Sequence, residues 1–288
     1  MVRINGETKL FGLIGQPVNH SLSPLIQNTL SHVMGINNVY VCFDISPRDL
    51  ELKVKSLINL GVKGFNVTMP HKENVIQYLD SLSESARYVN AVNTVLVKDN
   101  HVKGFNTDCD GFIRSLKESS GKGVKGDKVL MLGAGGAAKA IAVGLLRDGC
   151  DKLYIHNRTA KRAYDLKESL NDFCEKIVVI DDVEGVFNET DVIVNTTSVG
   201  MHGDLVNKSP LPDRIMFNSN QRVVDIIYSP KETLLLKEAK KRGAYVLNGF
   251  PMLFWQAVIA FEIWNDVTVE KNELEKIINI LKENGVMT

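Results

Sequence analysis

Lys128-Val129-Leu130-Met131-Leu132-Gly133-Ala134-Gly135-Gly136-Ala137-Ala138 decides the fold. Lys128 to Leu132 reads as a buried strand, and the glycines that follow open a helical segment running to Arg147. A glycine turn between strand and helix is where a dinucleotide pyrophosphate is held. Gly133 permits the tight turn, and Gly135 lets the backbone approach the phosphates. Ala138 stands where a third glycine often sits and is small enough for close helix–strand packing. The backbone of Gly133, Ala134, Gly135, Gly136 and Ala137 would then face the anion at the helix start.

The next strand, Lys152 to Asn157, refines the cofactor. A nicotinamide enzyme of the NAD type usually ends this strand on Asp or Glu, which bonds the ribose 2′-hydroxyl. Here the tip reads Asn157-Arg158-Thr159, with Lys161 and Arg162 just beyond. A planar guanidinium suits a 2′-phosphate, by charge and by stacking on adenine. The residues therefore point to NADP rather than NAD, against the plainer alternative of a solvated basic helix start. A nicotinamide implies hydride transfer, and hydride transfer at an alcohol carbon needs an acid–base group. A nucleotide-binding half does not supply that group, so it is sought in the first half.

Outward from the glycine turn, short apolar strands alternate with helical segments on both sides, which is βαβ logic and an α/β fold. Upstream, strands are predicted at Leu13–Gly15, Val39–Phe43, Gly64–Thr68, Val92–Val97 and His101–Phe105. Helices are predicted from Ser23, with Ser as N-cap and Pro24 first in the helix, over Pro47–Leu60 and over Asp110–Ser120. Gly121-Lys122-Gly123 is the best candidate linker. Downstream, strands are predicted at Ile177–Ile180, Asp191–Asn195 and Val223–Ile226, with helices over Ala160–Leu170, Gly249–Trp264 and Val269–Glu283. Met201 to Arg222 is polar and poorly periodic and is predicted to be a mobile loop.

At 288 residues the chain is long enough for two domains of about 150 residues each. Lys plus Arg number 34 and Asp plus Glu number 34, so the net charge is zero, which argues against nucleic-acid and anionic-membrane surfaces. No apolar run approaches the roughly 18 residues of a membrane span. The polar stretch from Met1 to Leu10 lacks a signal-peptide core, so a cytoplasmic location is expected. Cys42, Cys109, Cys150 and Cys174 are too far apart for a zinc site or a disulfide framework, and they read as incidental thiols with no metal.

Two strand-to-helix junctions in the first half carry candidate chemistry: Asn66-Val67-Thr68-Met69-Pro70-His71-Lys72 and Asn106-Thr107-Asp108. Ligands bind at such loop positions. A lysine beside a carboxylate can move a proton once burial loosens its hold on it. Taken alone, Lys72 reads as a solvated helix-start lysine and Asp108 as a helix cap.

The chain resembles the shikimate dehydrogenase family nearly end to end. The shared stretches include Ile14-Gly15-Gln16-Pro17, Ser21-Leu22-Ser23-Pro24, Asn66 to Lys72, Ala91-Val92-Asn93-Thr94 and Asn106-Thr107-Asp108. They continue with the glycine turn, Asn157-Arg158-Thr159, Asn195 to Met201, Tyr228-Ser229-Pro230, Asn248-Gly249, Met252-Leu253 and Gln256-Ala257. The resemblance implies NADP-dependent, reversible reduction of 3-dehydroshikimate to shikimate, in chorismate and aromatic amino-acid biosynthesis. It implies Lys72 and Asp108 as the catalytic pair. Ser21 and Ser23 would bond the substrate carboxylate, with Tyr228 near it, and Thr68, Asn93 and Gln256 would hold the ring hydroxyls. Thr196, Ser198, Ile226, Gly249 and Met252 would join the glycine turn and Asn157, Arg158, Thr159 and Arg162 around NADP.

Each residue also has a bland reading: the two serines as helix caps, Asn93 as a turn residue, Gln256 as an ordinary helical residue and Tyr228 as a packed aromatic. The implied fold is a substrate domain, 1–107 with 249–288, and a Rossmann-like NADP domain, 108–248, with the active site in the cleft between them. The implied partner is a small molecule, and the implied state a monomer or homodimer. A quinate or dual quinate/shikimate dehydrogenase on the same scaffold stays open, and so does a non-catalytic NADP-binding sensor. Two residues depart from the family pattern: Pro251, close after Gly249, and His71, where phenylalanine is more common. His71 is expected to be a structural or surface histidine.

Overall fold

The computed structural model describes residues 4–286. It divides into two compact units, one holding the chain up to Thr107 and from Gln256 on, the other Asp108–Trp255.

The first unit is built from β1 (Lys9–Gly15), α1 (Ser23–Val33), β2 (Asn38–Asp44), α2 (Leu50–Asn59), β3 (Gly64–Val67), β4 (Ser81–Leu82), α3 (Glu84–Val89), β5 (Thr94–Lys98) and β6 (His101–Phe105). Its sheet runs β2-β1-β3-β5-β6-β4. β1 is parallel to β2 and β3, whereas β5 runs antiparallel to β3 and β6. Asp99 and Asn100 close the β5–β6 hairpin with φ of 52° and 59°, a left-handed geometry that these two residue types tolerate. The register pairs Ile14 with Val67, Asn66 with Thr94 and Thr94 with Phe105. The exits of β1, β3 and β6 and the entry to β5 therefore share one end of the sheet.

The second unit continues with α4 (Thr107–Ser120), β7 (Lys128–Leu132), α5 (Ala138–Arg147), β8 (Lys152–His156), α6 (Ala160–Glu168), β9 (Ile177–Ile180), α7 (Glu184–Phe187), β10 (Val192–Asn195), β11 (Arg222–Asp225), α8 (Leu234–Lys241) and β12 (Tyr245–Leu247). All six strands are parallel, in the order β12-β11-β10-β7-β8-β9. A parallel sheet covered on both faces buries both sides of its strands. Val129, Leu130, Met131, Val192, Ile193 and Val194 are accordingly all fully buried. The chain moves from β7 out to β9 and then crosses to β10 on the other side of β7, so the order reverses between β7 and β10. Ligands of open α/β sheets bind at such a switch point.

The chain then returns through α9 (Phe250–Asn265) and α10 (Lys271–Glu283). The division between the units falls inside α9, between Trp255 and Gln256, rather than at its start. Trp264 stacks on Phe11 with ring centroids 4.9 Å apart and donates through Nε1 to Val95 O at 2.9 Å. A side chain at Gly64 would strike the Trp264 indole, so this glycine is fixed by close approach. Pro251 lies in the first turn of α9, where a missing N–H costs nothing.

Several local expectations are corrected. Leu22, not Ser23, is the N-cap of α1, and no side chain caps it. The Gly121-Lys122-Gly123 stretch is not an interdomain linker. It lies within the second unit, where the Arg222 guanidinium bonds Lys122 O at 3.2 Å, Gly123 O at 2.8 Å and the Asp127 carboxylate. The segment expected to be a mobile loop carries Leu211 and Phe217 in the core, and buried Gln221 donates to Phe187 O at 2.9 Å. β4, α3, α7, α8 and β12 were not foreseen; each spans eight residues or fewer, too short for a clear period. No helix among the described residues is long and apolar enough to cross a membrane.

Candidate active site

In the first unit, Ser21 follows β1, Thr68 and Lys72 follow β3, Asn93 precedes β5, and Thr107 follows β6, all at the shared end of the sheet. Ser21 Oγ accepts from the Ser23 amide at 3.2 Å, which holds the turn into α1. The Thr68 amide donates to Ile14 O at 2.9 Å, and a side chain at Gly15 would collide with the Thr68 methyl. Gly15 thus allows the exits of β1 and β3 to close on each other. Lys72 is half-buried, and its carbonyl accepts from the Val92 amide at 2.8 Å, next to Asn93. Asn93 is buried, and its Oδ1 accepts from the Thr107 amide at 2.7 Å. Asp108 is the next residue in the chain and belongs to the second unit. Gln256 is buried in α9 within the first unit, whereas Tyr228 is exposed in the second.

His71 is fully buried, with Nε2 2.7 Å from Ile45 O and Nδ1 lacking a partner among the described residues. A carbonyl only accepts, so Nε2 carries the proton. The ring pins the Met69–Lys72 segment to the exit of β2, which makes it a core histidine.

In the second unit, Gly133 has φ of +110°, and a Cβ there would sit 2.6 Å from Thr196 Oγ1. Thr196 Oγ1 donates to Leu132 O at 2.9 Å, so Thr196 braces the switch point between β7 and β10. Gly135 and Gly136 are different. Both are exposed, and a Cβ on either meets nothing within 4 Å. The protein's own packing does not require glycine at these two positions, whereas an approaching phosphate would. The turn fits a dinucleotide on that ground. Ala138 is fully buried, as close helix–strand packing asks.

Asn157 Nδ2 donates to Thr159 O at 2.8 Å, and its Oδ1 accepts from Ala134. Its side chain is committed to the protein at both ends. Arg158 and Arg162 are exposed, and neither guanidinium has an ion pair or hydrogen bond among the described residues, whereas Lys161 is paired with Asp165 at 2.9 Å. Two free guanidinium groups beside the glycine turn suit a phosphate. Ser198 is exposed, Ile226 and Met252 are half-buried, and Gly249 packs so tightly on the Ile226 backbone that any side chain would overlap it.

One group escaped the sequence reading. Asp225 ends β11 with no exposed surface. Its Oδ1 accepts from Asn195 Nδ2 and from the Ile227 amide, both at 3.1 Å, and its Oδ2 accepts from Thr233 Oγ1 at 2.7 Å. Burial raises its pKa, and these three donors offset part of that. Asn195 Oδ1 in turn accepts from the Thr197 amide at 3.0 Å. The pair sets both the Thr196–Ser198 loop and the Ile226–Tyr228 loop. An acidic residue ending an apolar strand was the available signal.

Residues 13–95 match the shikimate dehydrogenase substrate binding domain, and residues 115–229 match the shikimate / quinate 5-dehydrogenase family. The chain is 47% identical over 278 residues to the NADP(+) shikimate dehydrogenase of Caldanaerobacter subterraneus subsp. tengcongensis, covering 94% of this chain and 96% of that one. Its structure resembles the shikimate 5-dehydrogenase of Listeria monocytogenes, solved with shikimate and NAD, at 36% identity and a TM-score of 0.91, over 97% of this chain and 98% of that one. It also resembles the shikimate 5-dehydrogenase of Thermus thermophilus, solved with NADP(H) and shikimate, at 34% identity and a TM-score of 0.82, over 93% and 98%. Both parts match in chain order, on the two sheets that carry these loops, and the chain belongs to the shikimate dehydrogenase family.

Proposed function

We propose that the chain is an NADP-dependent shikimate dehydrogenase with Lys72 and Asp108 as its proton-moving pair. The observation that carries this reading is the gathering of Ser21, Thr68, Lys72 and Asn93, from three separate loops, at one end of the first sheet. Shikimate offers one carboxylate and three hydroxyls. Ser21 and Ser23 bond the carboxylate with Tyr228 near it, and Thr68, Asn93 and Gln256 hold the hydroxyls. A site that bonds each hydroxyl rejects an analogue lacking one, because its own buried polar group is left unpaired.

The backbone from Gly133 to Ala137 holds the cofactor's pyrophosphate at the start of α5. Arg158 and Arg162 take the 2′-phosphate, Asn157 and Thr159 frame them, and Thr196, Ser198, Ile226, Gly249 and Met252 line the remainder. NADP supplies the hydride when bound. Lys72, as an ammonium, gives a proton to the ketone oxygen of 3-dehydroshikimate, and takes it back when shikimate is oxidised. Asp108 orients Lys72 and balances its charge. The first unit, up to Thr107 and from Gln256 on, serves the substrate, and the second, Asp108–Trp255, the cofactor. The protein works on small molecules in the cytoplasm, as a monomer or homodimer.

The test is oxidation of shikimate or quinate with NADP or NAD, followed by the absorbance of the reduced nicotinamide. Turnover with shikimate and NADP is expected. Preference for quinate would move the chain to the neighbouring activity, and silence with NADP still bound would make it a sensor. Lys72→Ala is expected to lower turnover by about 100- to 10,000-fold with NADP affinity unchanged.

A further inference from the structure

A run of buried hydrogen bonds crosses the first unit beneath these loops. Tyr40, Asn66, Asn93, Thr94 and Thr107 are each no more than 5% exposed. The run begins at the Tyr40 phenol, which is 3% exposed. Tyr40 Oη then donates to Asn66 Oδ1 at 2.8 Å. Asn66 Nδ2 donates to Asn93 O at 3.1 Å and to Thr94 Oγ1 at 2.9 Å. Thr94 Oγ1 donates to Asn93 Oδ1 at 3.1 Å. Asn93 Nδ2 donates to Thr107 Oγ1 at 3.0 Å.

The directions follow from groups that have no choice. A backbone carbonyl only accepts, so Asn66 turns Nδ2 to Asn93 O and leaves Oδ1 for Tyr40. A backbone N–H only donates, so Asn93 turns Oδ1 to Thr107. Thr94 accepts from Asn66, and its hydroxyl lies 3.1 Å from both Asn93 Oδ1 and Thr107 Oγ1. Asn93 is thereby held in one amide flip and one rotamer.

We propose that Tyr40 and Thr94 are positioning residues for substrate recognition, presetting Asn93. The proposal rests on the reading of Asn93 as a substrate ligand. A polar side chain already in place spares the substrate the cost of ordering it. Removing either hydroxyl leaves a buried amide underbonded and free to rotate. The effect falls on the KM for shikimate, because a substrate ligand preset by the protein lowers the cost of binding.

The experiment measures kcat and both KM values for Tyr40→Phe, Thr94→Val, Thr94→Ser and Asn93→Ala. Tyr40→Phe and Thr94→Val are expected to raise the KM for shikimate about tenfold, with kcat and the KM for NADP within about twofold of the parent. Thr94→Ser, which keeps the hydroxyl, is expected to return the KM for shikimate to within about twofold of the parent. A parental KM in Tyr40→Phe and Thr94→Val beside a raised one in Asn93→Ala overturns the proposal alone. So does a KM for NADP that rises in step with that for shikimate, or a Thr94→Ser no better than Thr94→Val. A parental KM in Asn93→Ala overturns the reading of Asn93 and the proposal with it. If Thr94→Val does not fold, Tyr40→Phe and Thr94→Ser decide between these outcomes.

Discussion

Asn157 Oδ1 accepts a hydrogen bond from the Ala134 amide at 3.1 Å, so the residue that leaves β8 also fixes the glycine turn leaving β7. The other end of the same amide holds Thr159 O at the start of α6. One side chain thus ties the proposed pyrophosphate seat to the start of α6, and Arg158 is the next residue in the chain. Arg158 itself needs no partner in the protein to stay near its work.

Arg158→Ala is expected to weaken NADP binding by about 10- to 100-fold, the loss of a charge-assisted contact. NAD has no 2′-phosphate, so its affinity should change by less than about threefold. Titrating both cofactors against parent and variant checks this. A parallel loss for both would show that Arg158 supports the loop rather than the phosphate.

Gly133 and Gly135 are expected to fail in different ways. Gly133→Ala forces a β-carbon onto a backbone at φ +110° and against Thr196, and should lower stability by about 2–4 kcal/mol. Gly135→Ala meets open space and should leave the melting temperature unchanged. Its methyl group should still weaken NADP by about tenfold or more, because it stands where the phosphate backbone would approach. Thermal melts and cofactor titrations on the two variants make the comparison.

Asp225 makes stability depend on pH in a definite direction. Its folded pKa is raised above the ordinary 3.8 by burial. The unfolded chain therefore ionises it first as pH rises, and Asp225's contribution, full below 3.8, is lost as pH climbs through the raised value. Asp225→Asn can keep the same partners, its oxygen accepting from Asn195 and Ile227 and its nitrogen donating to Thr233. Denaturant titrations at stepped pH should show the variant gaining on the parent through that window and then holding its advantage. A constant difference across the window would contradict the shift.

The thiols should react in an order set by burial. Cys174 is exposed, whereas burial pushes Cys109 and Cys150 up to about 12. Only the thiolate attacks a disulfide reagent. In native protein Cys174 should be modified first, and Cys109 and Cys150 only after unfolding, as peptide mapping after timed labelling would reveal.

What the residues disclosed in advance depended on how far apart cause and effect lie in the chain. β7 and β9 stand at the expected residues because an apolar run bounded by turn residues is a local signal. α3 and α8 were missed, although Ser83 and Thr233 cap them by accepting from Ala86 and Leu236. The cap was legible, but the helices behind it are too short to show a face. Gly121-Lys122-Gly123 looked like a linker because composition is blind to Arg222, about a hundred residues on, which ties it down. Lys72 and Asp108 stood out at strand-to-helix junctions, but only the resemblance to a family raised them above a solvated lysine and a helix cap. Tyr40 gave no sign of its work and Asp225 only its place at the end of an apolar strand, since their partners come from other strands: Asn66 lies 26 residues from Tyr40, and Asn195 lies 30 from Asp225.

The interrupted first unit sets an order of events during synthesis. The second unit is one unbroken stretch, and domains fold as units as they emerge from the ribosome. It can close its core once Trp255 is clear. The first unit cannot. Gln27 is made early and donates to Ala257 O at 2.9 Å, across 230 residues, and Phe11 waits for the Trp264 ring. The part of the molecule that is translated first is therefore completed last, with an apolar sheet face uncovered while its neighbour is being made.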